Sequence, residues 1–177
     1  MRWQIFDPRT WKSAQAPPTA LVEETEIAPH LILGRRGEEL AARYLLSIGY
    51  NLVASNFKLP VGRSLRGALV HAEIDCIAYE GATLCFIEVK TRSSTWFTTP
   101  EANVDLRKQR QITRAARVYR RLLGLTTEPY RYDVISVVLP PALEDRAPVP
   151  QIELLRNYWT DEKFRKRHWT ASAYADF

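Results

Sequence analysis

The chain has 177 residues, 46% hydrophobic and 25% charged, with a formal net charge of +5. That suffices for one domain with a buried core and is too apolar for a disordered chain. Two cysteines exclude a disulfide scaffold, and no apolar run reaches the ~20 residues of a membrane-spanning helix, so a cytoplasmic protein without membrane association is expected.

Charge is unevenly spread. Residues 1–33 hold 3 basic and 4 acidic side chains, residues 34–139 hold 16 and 10, and residues 140–177 hold 6 and 6. The positive excess therefore lies in the middle and points to an anionic partner. The same division predicts an N-terminal arm (1–33), a domain (34–139) and a C-terminal extension (140–177). The arm carries Pro8, Pro17, Pro18 and Pro29 beside Trp3, Phe6 and Trp11, which suits a partly docked segment with no catalytic role.

Residues 34–48 are patterned as an amphipathic helix that turns Leu40, Ala41, Tyr44, Leu45 and Ile48 inward and stops at Gly49. Glu38 falls at the edge of this stripe and Glu39 nearly opposite. Glu38 is thus the acid that could look toward a sheet; otherwise both acids stabilise the helix N-terminus. Residues 50–57 form a predicted strand. Lys58–Gly67, with Pro60, Gly62, Arg63 and Arg66, reads as a flexible basic loop that either grips phosphates or is simply solvated.

Residues 68–79 alternate next, placing His71, Glu73, Asp75, Ile77 and Tyr79 on one face and Ala72, Ile74, Cys76 and Ala78 on the other. A turn at Glu80-Gly81 leads to a returning strand, Leu84–Lys90. There Leu84, Phe86, Glu88 and Lys90 share a face opposite Cys85, Ile87 and Val89. Asp75, Glu88 and Lys90 can therefore meet at one end of one sheet face. Charges among Ile, Phe and Val must be paired or bound to a metal, because burying them alone is costly. Two carboxylates and a lysine suit metal-assisted phosphodiester hydrolysis: oxygen ligands for a hard cation, Mg²⁺ or Mn²⁺, and an ammonium to orient water. The competing reading is a hairpin with surface ion pairs. Cys76 and Cys85 read as small buried thiols, and His71 as a structural or loop residue.

A polar loop follows Lys90. Thr99-Pro100-Glu101 reads as the start of a helix ending near Leu123, with Gly124 as its stop. Its apolar face is Val104, Ile112, Ala115, Ala116, Tyr119, Leu122 and Leu123, and Lys108 shares that face. Arg107, Arg110, Arg114, Arg117 and Arg121 form a stripe with no acid beyond Asp105. Such a stripe favours nucleic-acid backbone contact over a plain solvated face. Residues 130–139 form a strand in which Asp133 is expected to pair with a basic residue. Gln151–Leu155 suggests a short edge strand, and Lys163–His168 a helical stretch.

Gly34-Arg-Arg-Gly-Glu-Glu-Leu-Ala-Ala-Arg-Tyr-Leu, Gly49-Tyr50, Asn56, Glu73-Ile-Asp75, Phe86-Ile-Glu-Val-Lys-Thr-Arg92, Lys108, Ala115-Ala116 and Tyr132-Asp-Val134 together resemble the YraN-like family. That family belongs to the PD-(D/E)xK nuclease superfamily and is similar to archaeal Holliday-junction resolvases. The resemblance spans residues 34–138. It implies an α+β restriction-endonuclease-like core with a mixed central sheet flanked by helices. It also implies a metal-dependent nuclease with DNA as partner, in which Asp75, Glu88 and Glu38 are metal ligands, Lys90 orients water, and Lys108 is a helical site residue. Arg63, Arg66, Arg92, Arg107, Arg110, Arg114 and Arg117 would contact nucleic acid. The non-catalytic alternative keeps the fold and the basic surface and binds without cutting. Junction cutting would need a two-fold dimer, and the sequence leaves a homodimer open. Three departures from the family pattern concern loops: Ala72 replaces a glycine, Thr98-Thr99 replaces another, and the segment from Lys58 to His71 is longer than usual.

Overall fold

A computed structural model of the chain describes residues 28–93, 104–140 and 149–164. The elements run α1 (Pro29–Ser47), β1 (Asn51–Arg63), β2 (Leu69–Glu80), β3 (Thr83–Arg92), α2 (Leu106–Leu122), β4 (Tyr130–Val138) and β5 (Gln151–Trp159), followed by a 3-10 turn, Asp161–Phe164. The strands form one sheet in sequence order. β1–β2, β2–β3 and β4–β5 are antiparallel, while β3 and β4 are parallel. A parallel pair needs a crossover, and α2 lies within it. The result is the expected α+β fold, a mixed sheet with a helix on each face.

Each face has its own core. On the α2 side Ile74, Ile77, Leu84, Phe86, Tyr132, Val134 and Trp159 meet Ile112, Ala115, Ala116 and Tyr119; on the α1 side Cys76, Ala78, Cys85, Ile87, Ile135 and Val137 meet Ala41 and Leu45. β3 and β4 are thus buried on both faces, which explains their nearly unbroken apolar runs. Tyr132 stacks on Trp159 at 4.9 Å between centroids, tying β5 to the centre. Both cysteines are buried and free, as expected, and burial pushes each thiol up to about 12. No helix among the described residues is long and apolar enough to cross a membrane.

Several boundaries differ from the sequence expectation. α1 starts at Pro29, not Gly34, using a proline suited to the first turn. Glu38 and Glu39 therefore lie mid-helix, which removes their N-terminal dipole role, and Ile48 is 40% exposed at the helix end. β1 continues to Arg63, so the expected loop from Lys58 is largely strand. Pro60 is tolerated because β1 is an edge strand, and the register shifts between Pro60 and Gly62. The β2–β3 turn is Gly81-Ala82, one residue later than expected, with Gly81 at φ 58°. Val104 and Asp105 are not helical: Asp105 caps α2 by accepting from the Lys108 N–H at 2.7 Å. The expected start at Thr99–Glu101 lies outside the described residues, as do residues 1–27 of the expected arm. β5 extends to Trp159, beyond the expected Leu155; of the expected helical stretch Lys163–His168, Lys163 and Phe164 end a 3-10 turn and the rest lies outside the described residues.

The strict alternation read along β2 also fails, at Asp75. Ile74 and Ile77 enter the same core, while Cys76 and Ala78 enter the other. β1 makes the matching slip: Ala54 and Phe57 share the α2 side, and Asn56 between them has φ 52°. Ser55 pairs with Cys76 and Phe57 with Ile74, so both irregular positions lie side by side.

Candidate active site

β2 and β3 pair from Glu80↔Thr83 to Cys76↔Ile87 and then part. Asp75 and Glu88 sit at this fork. Both are buried, Asp75 at 8% exposure and Glu88 at 1%. Asp75 Oδ2 accepts from the Val89 N–H at 2.8 Å, satisfying a donor that the separated ladder leaves behind. Lys90 Nζ lies 2.7 Å from Glu88 Oε1. Lys108, in the first turn of α2, places Nζ 3.0 Å from Glu88 Oε2 and 3.7 Å from Asp75 Oδ1. Glu88 Oε2 is buried without a hydrogen bond of good geometry, so Lys108 compensates it by charge. The four side chains that the sequence singled out are thus together, two acids against two ammoniums.

The environment resists ionising Asp75. Burial, then the neighbouring Glu88 charge, pushes Asp75 up to about 6. Burial disfavours the Lys108 ammonium, but Asp75 and Glu88 outweigh it and raise its pKa. Two buried carboxylates pressed together form an oxygen-only donor set that suits a hard divalent cation. Asp75 Oδ1 and Glu88 Oε2 are the oxygens that Lys108 now neutralises.

Glu38 approaches from the other side. It lines a cleft of about 210 Å³ with Arg35, Ser55, Asn56, Asp75 and Cys76. Burial raises its pKa, opposed by a hydrogen bond with Asn56. Glu38 shares this cleft with Asp75, whose charge also raises its pKa, yet among the described residues no three His, Cys, Asp or Glu side chains are grouped to hold a metal ion. Two residues that the family resemblance includes without a role also contribute to the site. Asn56 steadies Glu38 from a left-handed backbone, and its signal was an Asn inside a strand pattern. Gly37 lets α1 approach β3 so closely that a Cβ there would lie 1.8 Å from Thr91 Oγ1.

The arginines divide. Arg107, Arg110, Arg114 and Arg121 are exposed. Arg117, expected to be free for nucleic acid, is instead paired with Asp161 at 2.7 Å, because the chain after β5 folds back onto α2. Arg110 lies over the Phe164 ring at 5.7 Å. Arg63 and Arg66 are exposed at the end of the β1–β2 hairpin, and Arg92 is partly buried at the end of β3. His71 is an exposed strand residue. Asp133 is fully buried and paired with Arg131 at 2.9 Å, as expected.

This mixed sheet, with a helix on each face and a carboxylate pair where two strands part, is a restriction-endonuclease-like core. Residues 37–137 match the uncharacterised protein family UPF0102. The chain belongs to this family, also known as YraN, within the restriction-endonuclease-like superfamily. It is 41% identical over 138 residues to a UPF0102 protein of Koribacter versatilis, covering 78% of this chain and 86% of the relative. A UPF0102 protein of Solibacter usitatus is 42% identical over 123 residues (70% and 82% covered), and one of Geobacter sulfurreducens 37% over 127 residues (71% and 87%).

Proposed function

We propose that the chain is a cytoplasmic, divalent-metal-dependent nuclease that hydrolyses DNA phosphodiester bonds, with a role in recombination or repair. The observation that carries this reading is the buried Asp75–Glu88 pair bridged by Lys108 at 3.0 and 3.7 Å. Asp75 and Glu88 would hold Mg²⁺ or Mn²⁺, with Glu38 completing the set from α1. The bound cation would supply Lewis-acid activation of the phosphate and of a water. Lys90, at the solvent edge of the pair, steadies the attacking water and the phosphate. Lys108 balances the acids from inside. The exposed arginines of α2 hold the backbone on either side of the scissile bond. The choice of DNA rests on the superfamily.

Calorimetric titration with Mn²⁺, together with cleavage of labelled DNA, tests this. Wild type should bind the ion and cut; Asp75→Ala and Glu88→Gln should each lose binding and lower cleavage by at least about a hundredfold. Wild type that neither binds the ion nor cuts refutes the reading. A second reading, a non-catalytic DNA-binding module, is favoured by Lys108, whose ammonium stands 3.0 Å from Glu88 Oε2 and 3.7 Å from Asp75 Oδ1. It requires DNA affinity that Asp75→Ala leaves intact and that loss of Arg107, Arg110 and Arg114 weakens.

A further inference from the structure

Beyond the fork, β1 and β2 run on as a two-stranded ribbon, from Phe57↔Ile74 to Arg63↔Leu69. Leu59, Val61 and Ala72 still pack on the α2 side. From Gly62 to Leu69 every residue is exposed. The tip nevertheless has defined bonds. Ser64 N–H donates to Ala68 O at 2.8 Å, Gly67 N–H donates to Ser64 O at 2.9 Å, and Arg63 Nη1 donates to Gly67 O at 2.7 Å. At the apex Leu65 holds its side chain entirely in solvent, and Leu69 is 54% exposed beside it.

The surroundings of Leu65 are cationic. Residues 61–70 contain Arg63 and Arg66 and no acid, while Lys58, nearer the root of the ribbon, pairs with Glu73 at 3.3 Å. The Arg114 guanidinium of α2 reaches Gly62, 3.7 Å from where a Cβ would stand. The ribbon tip thus continues the arginine stripe, and the root of the ribbon is Asp75 itself. A two-stranded ribbon fits a DNA groove, and an apolar side chain between phosphate-binding arginines is the form taken by wedges that part stacked bases. The continuity with α2 and with the acidic pair favours DNA over an anionic membrane surface, to which a basic hairpin with an exposed leucine could also bind.

We propose that the β1–β2 hairpin is a DNA-probing arm: Arg63 and Arg66 hold phosphates while Leu65 enters the base stack. The preferred substrate is then DNA with a step that opens easily, mismatched or intrinsically flexible. This rests on the DNA partner of the proposed function but not on the metal site.

The test uses the full chain in EDTA, so that nothing is cut, with duplexes carrying 2-aminopurine at a matched or mismatched central step. Wild type should raise the fluorescence of the mismatched probe and bind it about tenfold tighter than the matched one. Leu65→Ala, at an exposed site, should keep its thermal midpoint and its matched-duplex affinity but lose the fluorescence rise and the preference. Arg63→Ala/Arg66→Ala should weaken both duplexes equally and lower the salt slope by about two. DNA binding with no fluorescence change, or Leu65→Ala matching wild type, overturns the arm and leaves the nuclease reading standing. So does a Leu65→Ala defect confined to phosphatidylglycerol vesicles. A fluorescence rise in a chain that never cuts with Mn²⁺ supports the arm and overturns the nuclease. No DNA binding overturns both.

Discussion

Asp75 is an acid whose surroundings favour its proton. Its pKa rises from 3.8 to about 6 through burial and the Glu88 charge. The folded chain therefore holds a proton between those values that the unfolded chain releases. Stability contributed by this group falls as pH rises through that window, and the penalty is complete above about 6. Asp75→Asn, whose Oδ1 can still accept the Val89 N–H, removes the penalty. In EDTA at pH 8 the variant should resist urea better than wild type by on the order of 1–2 kcal/mol, with the advantage vanishing toward pH 4. A variant less stable at pH 8 would mean that Lys108 already overcompensates the charge. Asp75, Glu88, Lys90 and Lys108 were legible in the sequence because strand alternation and helix periodicity place charges where only apolar residues belong. The slip at Asp75 was not legible. It lies opposite Asn56, on another strand, whose left-handed backbone local pattern does not announce.

At the scale of elements, α1 is positioned by an absence. Gly37 packs against Thr91 with no room for a methyl group, and the next residue is Glu38. Gly37→Ala is acceptable to an isolated helix, and even favoured by propensity. In this fold it should cost about 1–3 kcal/mol by overpacking, read as a lower thermal midpoint. It should also shift Glu38 relative to Asp75. A variant as stable as wild type would show that α1 docks more loosely than the Gly37–Thr91 contact requires. The helix pattern named the buried face of α1 but not this contact, since a glycine gives no periodic signal. Likewise the i, i+3, i+7 spacing revealed the arginine stripe of α2, while Asp161, 44 residues further on, takes Arg117 out of it. Pro60 and Gly62 read as strand breakers because, without the sheet, nothing shows that β1 is an edge that can carry a bulge.

At the scale of the whole molecule, a path of positive charge runs among the described residues from the α2 stripe to the hairpin tip. If Arg63, Arg66, Arg107, Arg110 and Arg114 each meet a phosphate, log affinity against log salt should have a slope of roughly −4 to −5 for duplex DNA. A slope near zero in a filter-binding or anisotropy titration would refute a backbone-reading surface. The fold class was legible from the order of elements and from the family motifs. That β5 completes the sheet was less so, because the match to the family ends at residue 137 and β5 begins at Gln151.

The parallel pairing of β3 with β4 has a kinetic consequence. β1, β2 and β3 are joined by hairpin turns, so they can assemble from local contacts as the chain is synthesised. The far edge of β3 must wait until synthesis reaches Tyr130, its first partner on β4. During that interval Leu-Cys-Phe-Ile-Glu-Val-Lys is a bare apolar edge that could recruit a second nascent chain. Glu88 and Lys90 interrupt it with charge, as gatekeeper residues do in strands prone to aggregation. The side chains proposed for phosphodiester chemistry thereby also guard the chain before it has finished folding.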